Sequence, residues 1–140
     1  MVQTWWYVVF DSIVSLEHHT RTPHSNTGTA YTIAKYNMAM CAVGMAEEYR
    51  GRIGFNNLWP RTSIATAAVK MLAGNIGMNA SRNVDIMSDA AHWILTSDNT
   101  KISGNCFVDE NVILDRMGQP KSTLDQYKIN KWFPLIPDLF

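Results

Sequence analysis

Six apolar blocks, separated by polar or Gly/Pro-containing stretches, organise this chain. Residues 5–15 carry Trp6, Val8, Val9, Phe10, Ile13 and Val14, an aromatic and β-branched run that reads as a strand buried on both faces. Residues 17–28 change to His18, His19, Pro23, His24, Ser25, Asn26 and Gly28, which is loop chemistry. From 29 to 50, Ala34, Met38, Cys41, Ala42, Met45 and Tyr49 recur at the 3–4 spacing of a buried helical stripe. Ala39, Val43 and Ala46 fill the other side. A helix apolar nearly all round needs cover on more than one face, a sheet on one and a partner helix on another. Gly51 supplies its stop.

Residues 53–59 read as a second strand, ended by Pro60. A helix capped by Thr62 or Ser63 then runs through Ala65, Ala68, Val69 and Leu72 towards Gly74, and Gly74 and Gly77 mark the next loop. Val84, Met87, Ala90, Ala91, Ile94 and Leu95 predict a third helix, with Asp85 favourable in its first turn. Residues 104–108 predict a short last strand, and the tail from Lys131, with Pro134 and Pro137, an extended one. Strands joined by helical crossovers imply an α/β fold with a parallel sheet of about three strands and flanking helices.

The composition fits one packed domain. The chain has 140 residues, 46% hydrophobic and 17% charged, so it is not a disordered polymer. Lys+Arg 12 balance Asp+Glu 12, which leaves no basic field for nucleic acid. Cys41 and Cys106 match no zinc spacing and no disulfide framework, and read as half-buried free thiols. His18, His19 and His24 lack a carboxylate partner and read as solvated, so no metal is expected. The apolar opening stops at Asp11, short of the ~20 residues a spanning helix needs. No Lys or Arg stands among the first ten residues to start an export signal. The expectation is a soluble intracellular protein, cytoplasmic by default.

The sharpest chemistry is Tyr31-Thr32-Ile33-Ala34-Lys35. Residues four apart share a helical face, so a phenol and an ammonium can meet there. A nearby cation favours phenolate and brings a tyrosine from about 10 towards neutral pH, where it can act as a general acid or base. Tyr127-Lys128-Ile129-Asn130-Lys131 has the same spacing in a polar segment and reads as coincidence. Tyr31 differs in context, because it opens a long apolar helix soon after a strand-to-helix loop. His92, beside Trp93, reads as structural, and Asp109-Glu110 reads as a turn with no third partner.

The stretch from residue 26 to 139 resembles the C-terminal half of a short-chain dehydrogenase/reductase domain, in its hydroxysteroid dehydrogenase-like branch. The carrying segments are Ala30-Tyr31-Thr32-Ile33-Ala34-Lys35-Tyr36, Gly44-Met45-Ala46-Glu47-Glu48 and Asn57-Leu58-Trp59-Pro60-Arg61-Thr62. Val84-Asp85-Ile86, the segment from Gly104 through Cys106 to Glu110 and the ending Pro137-Asp138-Leu139-Phe140 follow in order. The resemblance implies a Rossmann-like doubly wound sheet and hydride transfer between NAD or NADP and a carbonyl or hydroxyl carbon. It implies that Tyr31 exchanges the proton, and that Lys35 holds the nicotinamide ribose and lowers the tyrosine pKa. Pro60 falls in the family's Pro-Gly turn, with Arg61 replacing the glycine, and Thr62 to Thr66 would meet the nicotinamide end. The long helix would pair with its copy in a homo-oligomer, and the compartment could be peroxisomal or mitochondrial.

Two features depart from the family. The position thirteen before Tyr31 is His18, and a longer loop would move the catalytic serine to Ser15. No Gly-x-x-x-Gly-x-Gly or Gly-x-Gly-x-x-Gly occurs, and the first glycine is Gly28, so no backbone cradle for a pyrophosphate is encoded. Residues 1–25 form a divergent segment before the matching residues 26–140. The expectation is therefore a truncated oxidoreductase, weak or inactive alone. The alternatives are a non-enzymatic fragment that keeps the helix-pairing surface, and a gene start drawn too far downstream. The substrate expected from the apolar residues around Trp59 and from 65 to 72 is a small hydrophobic carbonyl or alcohol.

Overall fold

The computed structural model describes residues 6–10, 29–98 and 101–137, with the side chains of residues 6–10, 29, 31 and 32 outside that description. Three parallel strands, β1 (Trp6–Phe10), β2 (Gly54–Trp59) and β3 (Cys106–Val108), lie in the order β1-β2-β3. Trp6 pairs with Gly54 and Phe10 with Leu58, while Asn57 pairs with Cys106 and Trp59 with Val108. The α/β class and the parallel sheet of three strands are as the sequence predicts. The predicted continuation of the first strand beyond Phe10 lies outside the described residues.

The helix α1 (Thr29–Glu48) spans the predicted stretch and ends before Gly51, whose φ of 75° suits the stop. Its buried face matches the predicted stripe only in part: Ala42 is buried and Met45 and Tyr49 are half-buried, as that stripe requires. Ala39, Ala42 and Ala46 are buried, whereas Ala34, Met38 and Cys41 are exposed. Three small side chains let the helix lie close to the sheet, and a larger residue there would hold it off. The sequence is apolar on both sides, so periodicity does not choose between them.

The helix α2 (Ala67–Asn79) begins later and runs further than predicted. Thr66 caps it, its hydroxyl accepting from the Val69 N–H at 3.4 Å. Gly74 (φ 58°, ψ −149°) breaks the helix without ending it, a conformation glycine alone adopts cheaply, and Gly77 is buried in the second segment. The predicted stripe through Ala68 and Leu72 is not buried: Leu72 is 75% exposed, Met71 80% and Ile76 69%.

The helix α3 (Asp85–Thr96) carries the core. Ile86, Ala90 and Ile94, four residues apart, are fully buried, with Met87 and Ala91 beside them. Leu58 of β2 and Phe107 of β3 pack against this face, joined by Val112 and Ile113. Those two belong to the π turn Val112–Arg116, which continues the short α4 (Asp109–Asn111). A 3-10 helix, Lys121–Tyr127, closes the cluster through Leu124 and Tyr127. The tail expected to be extended from Lys131 first turns over 131–133, where Phe133 N–H donates to the Asn130 carbonyl (3.2 Å). Only then does it lie along the fold: Ser63 N–H donates to the Ile136 carbonyl (3.0 Å), and Ile136 N–H to that of Ala80 (2.9 Å). No helix among the described residues is long and apolar enough to cross a membrane.

Candidate active site

In a parallel sheet with helical crossovers, ligands gather at the carboxyl ends of the strands. Here those ends are Trp59 and Val108, paired in register. Successive residues of β2 face opposite sides. Leu58 enters the α3 cluster, whereas the Asn57 side chain reaches α1, its Nδ2 donating to the Ala39 carbonyl at 3.3 Å. The Phe55 ring packs, tilted by 45°, with its centroid 5.7 Å from that of Tyr49, just beyond the C-terminal end of α1. So α1 runs antiparallel to β2, and its N-terminal turns approach the end of β2 that leads into Pro60. Two strand residues advance ~6.6 Å, about four residues of helix. That step from Asn57 and Ala39 brings Trp59 level with Lys35, which is half-buried. Tyr31 lies one turn further along the α1 backbone; its side chain is outside the described residues.

The loop after β2 is tied to the start of α4. The Arg61 N–H donates to Asp109 Oδ1 at 2.9 Å, and the same oxygen accepts from the Glu110 N–H at 2.6 Å. Arg61 Nη2 donates to Asn111 Oδ1 at 3.1 Å on the exposed side. Behind the loop, the buried Arg82 places Nη1 2.9 Å from Glu110 Oε2. Asp109 is fully buried, and burial pushes its carboxyl up to about 6, although both amides and Arg82 pull it down. The expected turn at Asp109-Glu110 is thus a buried network, with its partners in Arg61 and Arg82. Sequence reading missed it because they stand 48 and 28 positions away, from Asp109 and Glu110 respectively. The one signal was an acid directly after a short apolar strand.

Thr62 is buried, and its Oγ1 has no hydrogen-bond partner among the described residues. The same holds for Trp59 Nε1. A buried donor or acceptor left unpaired costs about 1–3 kcal/mol, so two so close in sequence at a strand end are what a polar ligand would satisfy. Pro60 joins them, half-buried, and Arg61 is exposed. Thr66, placed with this group by sequence, spends its hydroxyl as the α2 cap.

Several other sequence readings can be placed. Tyr127 donates to Asp89 Oδ2 at 2.7 Å, and burial together with that carboxylate pushes its phenol up to about 12. The second Tyr-x-x-x-Lys is therefore structural, as expected. His92 is exposed rather than packed, and both cysteines are free and exposed rather than half-buried. Among the described residues no cluster of metal-ligating side chains occurs. Ser15, His18, His19 and His24 lie outside the described residues.

Beyond this geometry, the chain is similar to proteins of the short-chain dehydrogenase/reductase type. Hydroxysteroid dehydrogenase-like protein 2 of Bos taurus is 47% identical over 111 residues, and that of Mus musculus 48% over the same length. These matches cover 79% of this chain but 26% and 22% of those proteins, so the chain spans about a quarter of their length. A short-chain dehydrogenase from Mycobacterium thermoresistibile superposes with a TM-score of 0.76 at 34% identity, over 96% of this chain and 46% of that one. A dehydrogenase structure from Xanthomonas campestris gives 0.71 at 39% identity, over 80% and 40%. No protein-family model matches the chain.

Proposed function

We propose that this chain supplies the proton-transfer and nicotinamide-side portion of an NAD(P)-dependent oxidoreductase of the short-chain type. The substrate would be a carbonyl or alcohol compound of hydrophobic character. The observation that carries the reading is the pair of buried, unpartnered polar atoms, Trp59 Nε1 and Thr62 Oγ1, at the carboxyl end of β2 in a chain whose relatives are dehydrogenases. A hydroxyl and an indole N–H there fit a nicotinamide carboxamide or a substrate oxygen, so the residues present suit the cofactor. A bound nicotinamide supplies the hydride donor or acceptor.

The remaining work falls to the protein. Tyr31 gives its phenolic proton to the substrate oxygen in reduction and takes it back in oxidation. Lys35, one turn along α1, keeps the phenol acidic by its charge and binds the ribose. Ser15 would steady the substrate oxygen. Pro60, Arg61, Thr62 and Thr66 form the rim that receives the nicotinamide end; Thr66 acts by fixing the first turn of α2. The pyrophosphate needs a glycine-rich turn that this sequence does not encode, so the 140 residues alone bind dinucleotide weakly and turn over little.

Two measurements test this. Fluorescence titration of the chain with NADH and NADPH should show no micromolar binding, and such binding would overturn the claim of inactivity alone. In a chain that also carries a glycine-rich turn, Tyr31→Phe should lower turnover by about 10²–10⁴-fold, with cofactor binding kept. Turnover within threefold of the parent would remove Tyr31 from the chemistry.

A second reading is favoured by one observation. On α1, Ile33 is 54% exposed and Met40 61%, seven residues apart and opposite the alanine face, with Gly44 on the same side. A Cβ added at Gly44 would meet nothing within 4 Å, so a second helix could come close there. The surface suits pairing with the α1 of another copy, whether or not the chain is catalytic.

A further inference from the structure

Asp109 stands at the junction of three segments. Its Oδ1 takes two backbone amides, Arg61 from the loop after β2 and Glu110 from α4, while Oδ2 is buried with no hydrogen-bond partner. Most buried polar atoms have at least one hydrogen-bond partner. Here all the grip is on one oxygen and the other is spare. A proton on Oδ2 would leave both amide bonds in place geometrically but turn them from charge-assisted to neutral, roughly half as strong.

We propose that Asp109 is the positioning residue of the residue 60–66 loop: as a carboxylate it clamps the loop's Arg61 amide to the start of α4, and as a carboxylic acid it relaxes that clamp. The groups facing it set the balance. Arg82, buried and shared with Glu110, favours the carboxylate; Glu110, part-buried, opposes it. The Arg61 guanidinium is turned outward to Asn111 and adds little. The loop so held is the one that carries Thr62, so in weakly acidic surroundings the site would loosen without any ligand leaving. That the loop meets a nicotinamide rests on the reading above. The clamp does not.

Amide NMR of the full chain from pH 4.5 to 7.5, with no cofactor, decides the matter. The Arg61 and Glu110 amide protons should move downfield together as pH rises, with one shared midpoint near 6. Asp109→Asn, which keeps an acceptor oxygen without the charge, should hold both amides still. Should that variant not fold, Glu110→Gln provides the second arm: it removes the opposing charge and leaves Arg82 to Asp109, so the shared midpoint should fall. Amides that do not titrate, that titrate apart, or that keep their midpoint in Glu110→Gln overturn the clamp. Amides that titrate together, while Tyr31→Phe leaves the turnover of a chain carrying a glycine-rich turn within threefold of its parent, would instead count against the enzymatic reading alone.

Discussion

The helices on the two faces of the sheet, α1 and α3, are both rich in apolar residues but are used differently. In α3 one face is sunk: Ile86, Ala90 and Ile94 are fully buried against β2 and β3. Among the described side chains of α1 only three alanines are, and Ile33, Met38, Met40 and Val43 remain exposed. Burying a large aliphatic side chain contributes about 1.5–3 kcal/mol, an alanine much less. The α3 layer therefore supplies the described core, while α1 leaves its outer face exposed. That exposed apolar area on a 20-residue helix is what the pairing proposed above would cover.

The contrast can be broken most directly by truncation. Ile94→Ala should cost about 2–5 kcal/mol in denaturant unfolding, because a fully buried side chain leaves a cavity. A loss below 1 kcal/mol would mean that the α3 layer is not the core. Next in size is the pH dependence on the α3 side. The Asp109 carboxyl lies at about 6 in the folded chain against 3.8 in the unfolded one, so the native state binds more protons between those values. Folding stability should therefore fall as pH rises from about 4 to about 6, by up to ~3 kcal/mol, and then level off. Asp109→Asn should flatten this arm of the profile. The ionised group thus weakens the fold as a whole through desolvation while gripping its two amides harder.

Tyr127→Phe removes the bond that ties the 3-10 segment to Asp89 on α3, and should lower stability by about 1–2 kcal/mol in the same unfolding assay. The smallest effect is expected on the opposite face. Met40→Asp should change the stability of the monomer by no more than about 0.5 kcal/mol, yet abolish any concentration-dependent association seen by light scattering. Tyr31→Phe should leave that association unchanged. If Met40→Asp instead unfolds the chain, α1 is a core helix and the contrast fails.

The same difference explains what the sequence could reveal. The apolar residues of α3 fall mostly on one face, so helical periodicity marks Met87, Ala90, Ala91 and Ile94 as core. It also takes in Val84 and Leu95, which are exposed, and passes over Ile86, which is fully buried. Those of α1 surround the helix, so its limits were readable from Gly51 and the apolar run, but its buried side was not. In α2, hydrophobicity misled: Ala68 and Leu72 look like core and are open to solvent, and Gly74 looks like a terminus and is a kink. For the proposed site, Tyr31 with Lys35 and the Pro60 turn could be put forward from sequence because each lies in a short run. Asp109, Arg61 and Arg82 were not, because their association exists only once β2 and β3 lie side by side.

The two feet of α2 are joined to one another. Ala65 N–H donates to the Arg82 carbonyl at 2.8 Å and Arg82 N–H to that of Ser63 at 3.0 Å, with the tail bonded to Ala80 beside them. Whatever lies between those feet is a closed detour from the sheet. Closing such a detour costs entropy that grows only with the logarithm of its length. Segments of quite different size could therefore be grafted onto the same base, changing what the mouth of the sheet admits while the strands and their register stay as they are.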